Sequence, residues 1–165
     1  MLKGKYLFEQ MRSTKPSEDF FKYIDIESID NKRGIITAPK ILPSNKAPSR
    51  ASRYTCKDDV LFSMVRPYLR NIAMVPEDNC IASTGFFVCH PIAVMIPEFC
   101  YYVMKSSYIV DGLNQFMKGD NSPSINNANI TEWIYPIPPL EEQIRIVTKI
   151  QELYETVDCV TEALL

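Results

Sequence analysis

The sequence predicts an α+β fold in which a mostly β globular domain over residues 1–137 is followed by a long helix over residues 138–165. The chain has 165 residues, of which 46% are hydrophobic and 23% are charged, the proportions of an ordinary globular domain. Short runs of β-branched and aromatic residues recur up to about residue 90, with turn-forming residues between them. After Pro139 the chain has no glycine and no further proline, which favours one uninterrupted helix.

The strands are predicted from alternating or short continuous apolar runs that end at turns. Segment 38–53 breaks this pattern because it contains three prolines, each of which lacks a backbone N–H. We therefore expect that segment to be an exposed, ordered loop and not a central strand. Gly85 separates two of the runs and is expected at a bulge or a close approach of the backbone. The predicted strands are 21–26, 35–37, 60–65, 71–75, 80–83, 86–89 and a short one around 133–135.

Helical patterns begin at Pro97, which is tolerated in a first helical turn. The spacing of apolar residues from Phe99 to Ile109 predicts one or two helices. Residues 118–126 are rich in Gly, Asn, Ser and Pro, so we expect a loop there before the last short strand.

The last helix carries a continuous apolar stripe whose members are 4, 3, 4, 3 and 4 residues apart, the heptad spacing with which helices pair. Glu141 and Glu142 suit the positive N-terminal end of the helix dipole. About 25 residues correspond to roughly 38 Å, which is long for a domain of this size. We therefore favour a protruding helix that needs a partner helix over an amphipathic helix packed on its own domain. The stripe consists of Ile146, Ile150, Leu153, Val157, Val160 and Leu164.

Composition and motifs argue against several classes of protein. No apolar stretch approaches the ~20 residues that span a bilayer, so we expect a soluble intracellular protein. The five cysteines form no C-x-x-C pair, and only His90 could join them, so we expect neither a disulfide framework nor a zinc site. The sequence contains no P-loop and no nucleophile-elbow motif. Cys89 and His90 are neighbours in a predicted strand and would point to opposite faces, so we expect no catalytic Cys–His pair.

The distribution of charge is more informative than its sum. The net charge of −2 argues, on the scale of the whole chain, against a nucleic-acid partner. Residues 32–70, however, contain nine cations and two anions and carry a charge of +7, whereas the remaining residues carry −9. A basic block of this kind, rich in Pro, Ser, Asn and Tyr, is typical of a phosphate-binding surface. The alternative is a solvated loop whose charges pair with acidic neighbours.

Six stretches, in order along the chain, resemble the target recognition domain of type I restriction-modification specificity subunits. Among them, Ala47–Ala51 is similar to the family's APSRA turn, and Asp59–Asn71 is similar to its DVLFSxVRPYLRN block, with Asp58 where glycine is usual. The start of the last helix resembles the family's LPPLxEQxRIV motif. The six stretches are 23–31, 47–51, 59–71, 82–86, 119–126 and 137–147.

The resemblance implies a specificity component that is not itself an enzyme. Family members position a methyltransferase, and in some systems a DNA-translocating nuclease, on a two-part double-stranded DNA target in the prokaryotic cytoplasm. Each recognition domain reads one half-site, and paired spacer helices separate two such domains and dock the modification subunits. S-adenosylmethionine belongs to the methyltransferase subunit, so no cofactor is expected on this chain.

The length of the chain leaves room for one recognition domain and one helix. It is therefore expected to be a half subunit, either natural or cut from a longer chain. Two copies joined through residues 138–165 would rebuild a two-fold symmetric reader of an interrupted palindrome.

The resemblance also divides the expected DNA contacts into two kinds. Arg66, Tyr68 and Arg70 lie in a block shared by members with different targets, so they are expected to hold the phosphate backbone or the fold. Replacing Arg66 or Arg70 by Ala should then weaken binding to every sequence. Base reading is expected from the stretches that depart from the family pattern, 29–45 and 121–127. The base-reading candidates, for base-edge or adjacent phosphate contacts, are Arg33, Lys40, Asn45 and Lys46. The expected DNA-binding residues are Arg33, Lys40, Asn45, Lys46, Arg50, Arg53, Arg66, Tyr68, Arg70, Lys118 and Asn121.

Three alternatives remain open from the sequence. One is the recognition domain of a related type II restriction-modification enzyme. A second is a dimerising adaptor that keeps the helix but does not bind DNA, in which the +7 segment would fold against acidic residues. The third is an enzyme, which would require a polar pocket around Cys89 and His90.

Overall fold

Four small β-sheets form the body of the molecule in the computed structural model, which describes residues 1–164. The two larger sheets have four and three strands, and the two smaller ones are strand pairs. The strands are β1 (Leu2–Lys3), β2 (Phe20–Ile24), β3 (Ile29–Asp30), β4 (Ile35–Ile36), β5 (Lys40–Pro43), β6 (Ala51–Tyr54), β7 (Val60–Ser63), β8 (Ile72–Met74), β9 (Cys80–Ser83), β10 (Phe86–Cys89) and β11 (Ile134–Tyr135).

The four-stranded sheet has the order β5-β2-β9-β6, in which β2 and β9 are parallel and the other pairs are antiparallel. The expectation that residues 38–53 form a loop was wrong, because β5 lies within that segment and β6 begins in it, although neither is a central strand. Both are edge strands, and an edge strand needs ladder hydrogen bonds on one side only. Pro43 can therefore end β5 without leaving a broken ladder.

The three-stranded sheet has the order β10-β7-β8, and all four residues of its central strand β7 are buried. β9 and β10 follow each other in the chain but belong to different sheets. Gly85 lies in the turn between them, where an added Cβ would stand 3.2 Å from Cδ1 of Ile26. The predicted close approach at Gly85 is therefore confirmed.

Four α-helices complete the fold: α1 (Pro97–Lys105), α2 (Ser107–Asn114), α3 (Asn127–Glu132) and α4 (Leu140–Ala163). The side chain of Ser106 accepts a hydrogen bond from the backbone of Ile109 and caps α2. Helix α3 was not predicted from the sequence. Its start is set by reciprocal side-chain to backbone hydrogen bonds between Asn126 and Asn129.

The three-stranded sheet lies between two hydrophobic layers. Val60 and Phe62 of β7 pack in the main core with residues of α1 and α2. Leu61, whose side chain points to the opposite face, packs in a second core with Ile24 of β2 and Ala82 of β9. The molecule is therefore layered, with helices on one face of this sheet and the four-stranded sheet on the other.

Helix α4 starts in the main core and then leaves it. Gln143 and Val147 are buried, whereas every residue from 151 to 164 is exposed. The 24 residues of α4 correspond to about 36 Å. The fold class is therefore the predicted one, an α+β domain with a long C-terminal helix. The boundary at residue 137 stays a prediction, because the first turns of α4 pack with the domain. No helix within residues 1–164 is both long enough and apolar enough to cross a membrane.

Candidate nucleic-acid interface

An open groove of about 460 Å³ lies between the end of β2 and the turn that follows β7. We call it the Arg50–Arg66 groove, because these two predicted DNA-binding residues both line it. Its lining includes apolar residues such as Ile26 and Val65 as well as polar ones. The charged and hydrogen-bonding lining residues are Tyr23, Asp25, Glu27, Arg50, Arg66, Asn71, Ser83 and Ser122.

Lys40 lies beside the groove rather than in it. Its ammonium group forms ion pairs with Asp25 and Glu27, and both carboxylates line the groove. Burial of Asp25 raises the pKa of its carboxyl, but hydrogen bonds from Lys40 and Ser28 outweigh this effect and leave the pKa below its usual value. Asp25 also accepts a hydrogen bond from the backbone N–H of Ser28 and so caps the 3₁₀-helix Ile26–Ser28.

The other base-reading candidates lie on separate exposed turns. Arg33 is exposed in the turn between β3 and β4, where its backbone N–H donates to Oδ1 of Asp30. Asn45 and Lys46 are exposed in the 3₁₀-helix Ser44–Lys46 after β5. Neither of these turns supplies a lining residue of the Arg50–Arg66 groove.

Arg53 lies half-buried in β6. Its Nε is buried without a hydrogen-bond partner, and burial lowers the pKa of its guanidinium. A buried donor without a partner is costly, so the polar contacts of Arg53 are less favourable than those of the exposed cations of the segment.

Most of the +7 segment is not neutralised within the described part of the chain. Of its nine cations, only Lys40 and Arg70 have a carboxylate oxygen within 4.0 Å. The mark expected of the adaptor alternative, a basic segment folded against acidic residues, is therefore not what residues 1–164 show. Exposed, unpaired cations of this kind are suited to phosphate groups.

Arg66 and Arg70 both have left-handed backbone conformations, with φ of 48° and 54°, and flank the 3₁₀-helix Pro67–Leu69. The guanidinium of Arg70 donates to the backbone oxygen of Lys105 over 2.6 Å and to Oγ of Ser107 over 3.2 Å. It is also ion-paired with Asp111 at 3.4 Å. Arg70 therefore joins the turn to α1 and α2, whereas Tyr68 between the two arginines is exposed.

The loop 118–124 forms part of the groove wall through Ser122. Lys118 and Asn121 are both exposed in this loop. Nη2 of Arg66 donates to the backbone oxygen of Asn121 over 2.6 Å. The structure thus brings Arg50, Arg66 and the loop carrying Asn121 to one groove.

Sequence reasoning missed a polar cluster at the far end of β10. Asp59 and His90 form a 2.5 Å hydrogen bond between Oδ1 and Nδ1, and Oδ2 of Asp59 accepts the backbone N–H of Cys56 over 2.7 Å. Candidate metal-ligand atoms of these three residues lie within 4.8 Å of one another. Both oxygens of Asp59 already take part in hydrogen bonds, Oδ2 within the turn to Cys56 and Oδ1 with His90, which accounts for the cluster without an ion.

The alternative that the chain is an enzyme requires a polar pocket around Cys89 and His90. Cys89 is fully buried, and burial raises the pKa of its thiol well above the usual value. The space that adjoins His90 has a volume of about 10 Å³, too small for a substrate. Low thiolate character and the lack of space both argue against nucleophilic catalysis at this position.

The apolar stripe of α4 divides at Ile150. Ile146 and Ile150 are half-buried near the domain. The rest of the stripe is exposed, and Leu153 keeps 56% of its surface accessible. The exposed members are Leu153, Val157, Val160 and Leu164.

Comparison with known proteins supports the family resemblance. The family model of the type I restriction modification DNA specificity domain matches residues 3–164. The type I restriction enzyme EcoDI specificity subunit of Escherichia coli is 24% identical over 101 residues, which are 61% of this chain and 22% of that protein.

Solved structures match over almost the whole chain. The crystal structure of the HsdS subunit from Thermoanaerobacter tengcongensis aligns with a TM-score of 0.89 and 35% identity, covering 98% of this chain and 43% of that one. A chain in a structure on the complex assembly and conformational transition of the type I R-M system gives a TM-score of 0.88 at 35% identity, with the same coverage. This chain thus spans less than half the length of the solved chains that it matches. With the family model matching nearly every residue, the chain belongs to the family of type I restriction modification DNA specificity domains.

Proposed function

We propose that this chain is the non-catalytic reader of one half of a bipartite DNA target in a type I restriction-modification complex. The Arg50–Arg66 groove and the exposed cations around it contact double-stranded DNA. The observation that carries this proposal is the +7 segment, in which seven of nine cations have no carboxylate within 4.0 Å among residues 1–164. Phosphate contacts from such cations supply affinity, and base contacts from neighbouring side chains supply the choice of sequence.

The proposed partners are the modification subunits and, in a complete complex, the restriction subunits. The methyltransferase subunit binds S-adenosylmethionine and performs the chemistry, and this chain supplies the position on the DNA. This division of labour is supported by the small space beside His90 and by the burial of Cys89. The role belongs in the cytoplasm of a prokaryotic cell.

A second copy of the chain is the proposed partner of the exposed half of α4, unless a longer chain supplies a second helix. The stripe from Leu153 to Leu164 is exposed and has heptad spacing, which suits a paired helix. Pairing would set two grooves apart with two-fold symmetry, so the target would be an interrupted palindrome.

Selection from random double-stranded DNA, with the modification subunit present, tests the proposal and identifies the target. Binding to the selected DNA is then measured by fluorescence anisotropy over a range of salt concentrations. Arg50→Ala is expected to weaken binding and to reduce the slope of log K against log salt by about one. Lys149→Ala, which removes an exposed cation of α4, is the matched control and should leave the slope unchanged. A wild-type complex that selects no sequence, or an unchanged slope in Arg50→Ala, would contradict the proposal.

A further inference from the structure

The loop 118–124 has a firmly paired stem. Lys118 and Ser124 exchange two backbone hydrogen bonds of 2.9 Å each, and the backbone N–H of Ile125 donates to Met64 over 3.0 Å. Gly119 has φ of 101°, a backbone conformation that glycine adopts without strain. The start and the end of the loop are therefore fixed by main-chain bonds and by a residue suited to the turn.

The tip of this loop depends on Arg66. The backbone N–H of Arg66 donates to the backbone oxygen of Pro123 over 2.8 Å. Its side-chain Nη2 donates to the backbone oxygen of Asn121 over 2.6 Å. Within residues 1–164, no other side chain forms a hydrogen bond with residues 119–123. Arg66 has a left-handed backbone conformation, and both its backbone and its side chain bond to this loop.

The side chains of the tip are free to bind a ligand. Asn121 and Ser122 are exposed, and their amide and hydroxyl groups form no hydrogen bond within the described residues. Ser122 lines the Arg50–Arg66 groove. Amide and hydroxyl groups can donate to and accept from both base edges and phosphate oxygens.

We propose that Arg66 is a positioning residue, which holds Asn121 and Ser122 against the DNA rather than serving chiefly as a phosphate contact. This inference rests on the proposed DNA-reading function. Its chemical basis is the short hydrogen bond from Nη2 of Arg66 to the backbone oxygen of Asn121, at the tip of the loop. A lysine has the same charge but lacks the planar guanidinium with its several fixed donors.

The variants Arg66→Lys and Arg66→Ala separate positioning from phosphate contact. If Arg66 positions the loop, both variants should lose about tenfold in affinity for the selected target, and Arg66→Lys should keep the wild-type salt slope. If Arg66 is only a phosphate contact, Arg66→Lys should bind nearly as wild type. Arg50→Lys is the matched control, because a phosphate contact at Arg50 should tolerate the exchange.

A double-mutant cycle gives a readout that a loss of stability alone would not move. The double variant Asn121→Ala, Ser122→Ala removes the groups that Arg66 is proposed to hold. Arg66→Lys added to it should cause little further loss of affinity, and amide hydrogen exchange of residues 119–122 should be faster in Arg66→Lys than in wild type. Additive losses or unchanged exchange would overturn the positioning role alone. Absence of any selected target for the wild-type complex would overturn the proposed function and this inference with it.

Discussion

Gln143 in α4 and Val94 in the segment before α1 are joined by a hydrogen bond of 2.8 Å, from Nε2 of the side chain to the backbone oxygen. The same amide donates to Pro138 over 2.9 Å and accepts the backbone N–H of Ile96 over 3.0 Å. Gln143 is fully buried and binds all three backbone groups at once. This one side chain connects the start of the long helix to the domain.

Replacing Gln143 by Leu should therefore destabilise the protein. Three partly buried backbone groups would lose their partner, and each group left unsatisfied away from water costs about 1–3 kcal/mol, although the costs are not additive. We expect a loss of about 2–4 kcal/mol in the free energy of unfolding, measured by urea denaturation. Gln151→Leu, at an exposed position of the same helix, should change it by less than about 0.5 kcal/mol. Similar losses in both variants would contradict this role of Gln143.

Arg70 should behave as a residue of the fold and not as a DNA contact. Its guanidinium is bonded to Lys105 and Ser107 and paired with Asp111. Arg70→Ala should lower the free energy of unfolding by about 1–2 kcal/mol, since hydrogen bonds from a charged donor are lost. The slope of log K against log salt for DNA binding should stay at its wild-type value. A slope reduced by about one, with stability unchanged, would instead show that Arg70 contacts a phosphate, the other role expected from the sequence.

The elements that the sequence predicted correctly are those that local pattern determines. β7 and β8 are short continuous apolar runs, and such runs become largely buried strands, here the central strand and one edge of the three-stranded sheet. The last helix was predicted because its heptad spacing continues to the end of the chain. In contrast, the six residues of α3 have no apolar stripe, and only the capping pair of Asn126 and Asn129 indicates the helix.

The edge strands β5 and β6 and the side-chain partners of the two arginines could not be predicted, because they depend on residues distant in sequence. β5 and β6 become strands by pairing with β2 and β9. Arg66 and Arg70 look like equal cations in the sequence. Their partners are 55 and 35 residues away, at Asn121 and Lys105, so the sequence shows their charge but not how it is used.

The pairing of Asp25 with Lys40 predicts a pH dependence of stability. The hydrogen bonds to Asp25 hold the pKa of its folded-state carboxyl below the unfolded value, so the unfolded state takes up a proton first as the pH falls. The contribution of the ionised Asp25 to the free energy of unfolding is therefore present above the unfolded pKa of about 3.9. It is lost as the pH falls through the folded pKa.

The substitution Lys40→Met tests this contribution. It removes a hydrogen bond that favours the carboxylate, so NMR titration should show a higher pKa for Asp25 in the variant. The difference in the free energy of unfolding between wild type and variant should be present near neutral pH and should shrink toward about pH 2. Lys46→Met, at an exposed cation without an ion pair among residues 1–164, is the control. A difference that is constant with pH would show that the pair does not act through ionisation of Asp25.

The exposed stripe of α4 should control the association state of the chain. Leu153→Asn with Val157→Asn places polar groups in the stripe, where a paired helix would bury them without partners. We expect a dimer for the wild type and a monomer for this variant in sedimentation equilibrium. Gln151→Asn with Glu155→Asn introduces the same residue at exposed positions outside the stripe, which matches the loss of helix propensity and should leave the dimer intact. A wild-type chain that sediments as a monomer, with Ile150 and Leu153 unchanged, would exclude self-association through α4. The stripe would then pack against a helix of a different chain or segment.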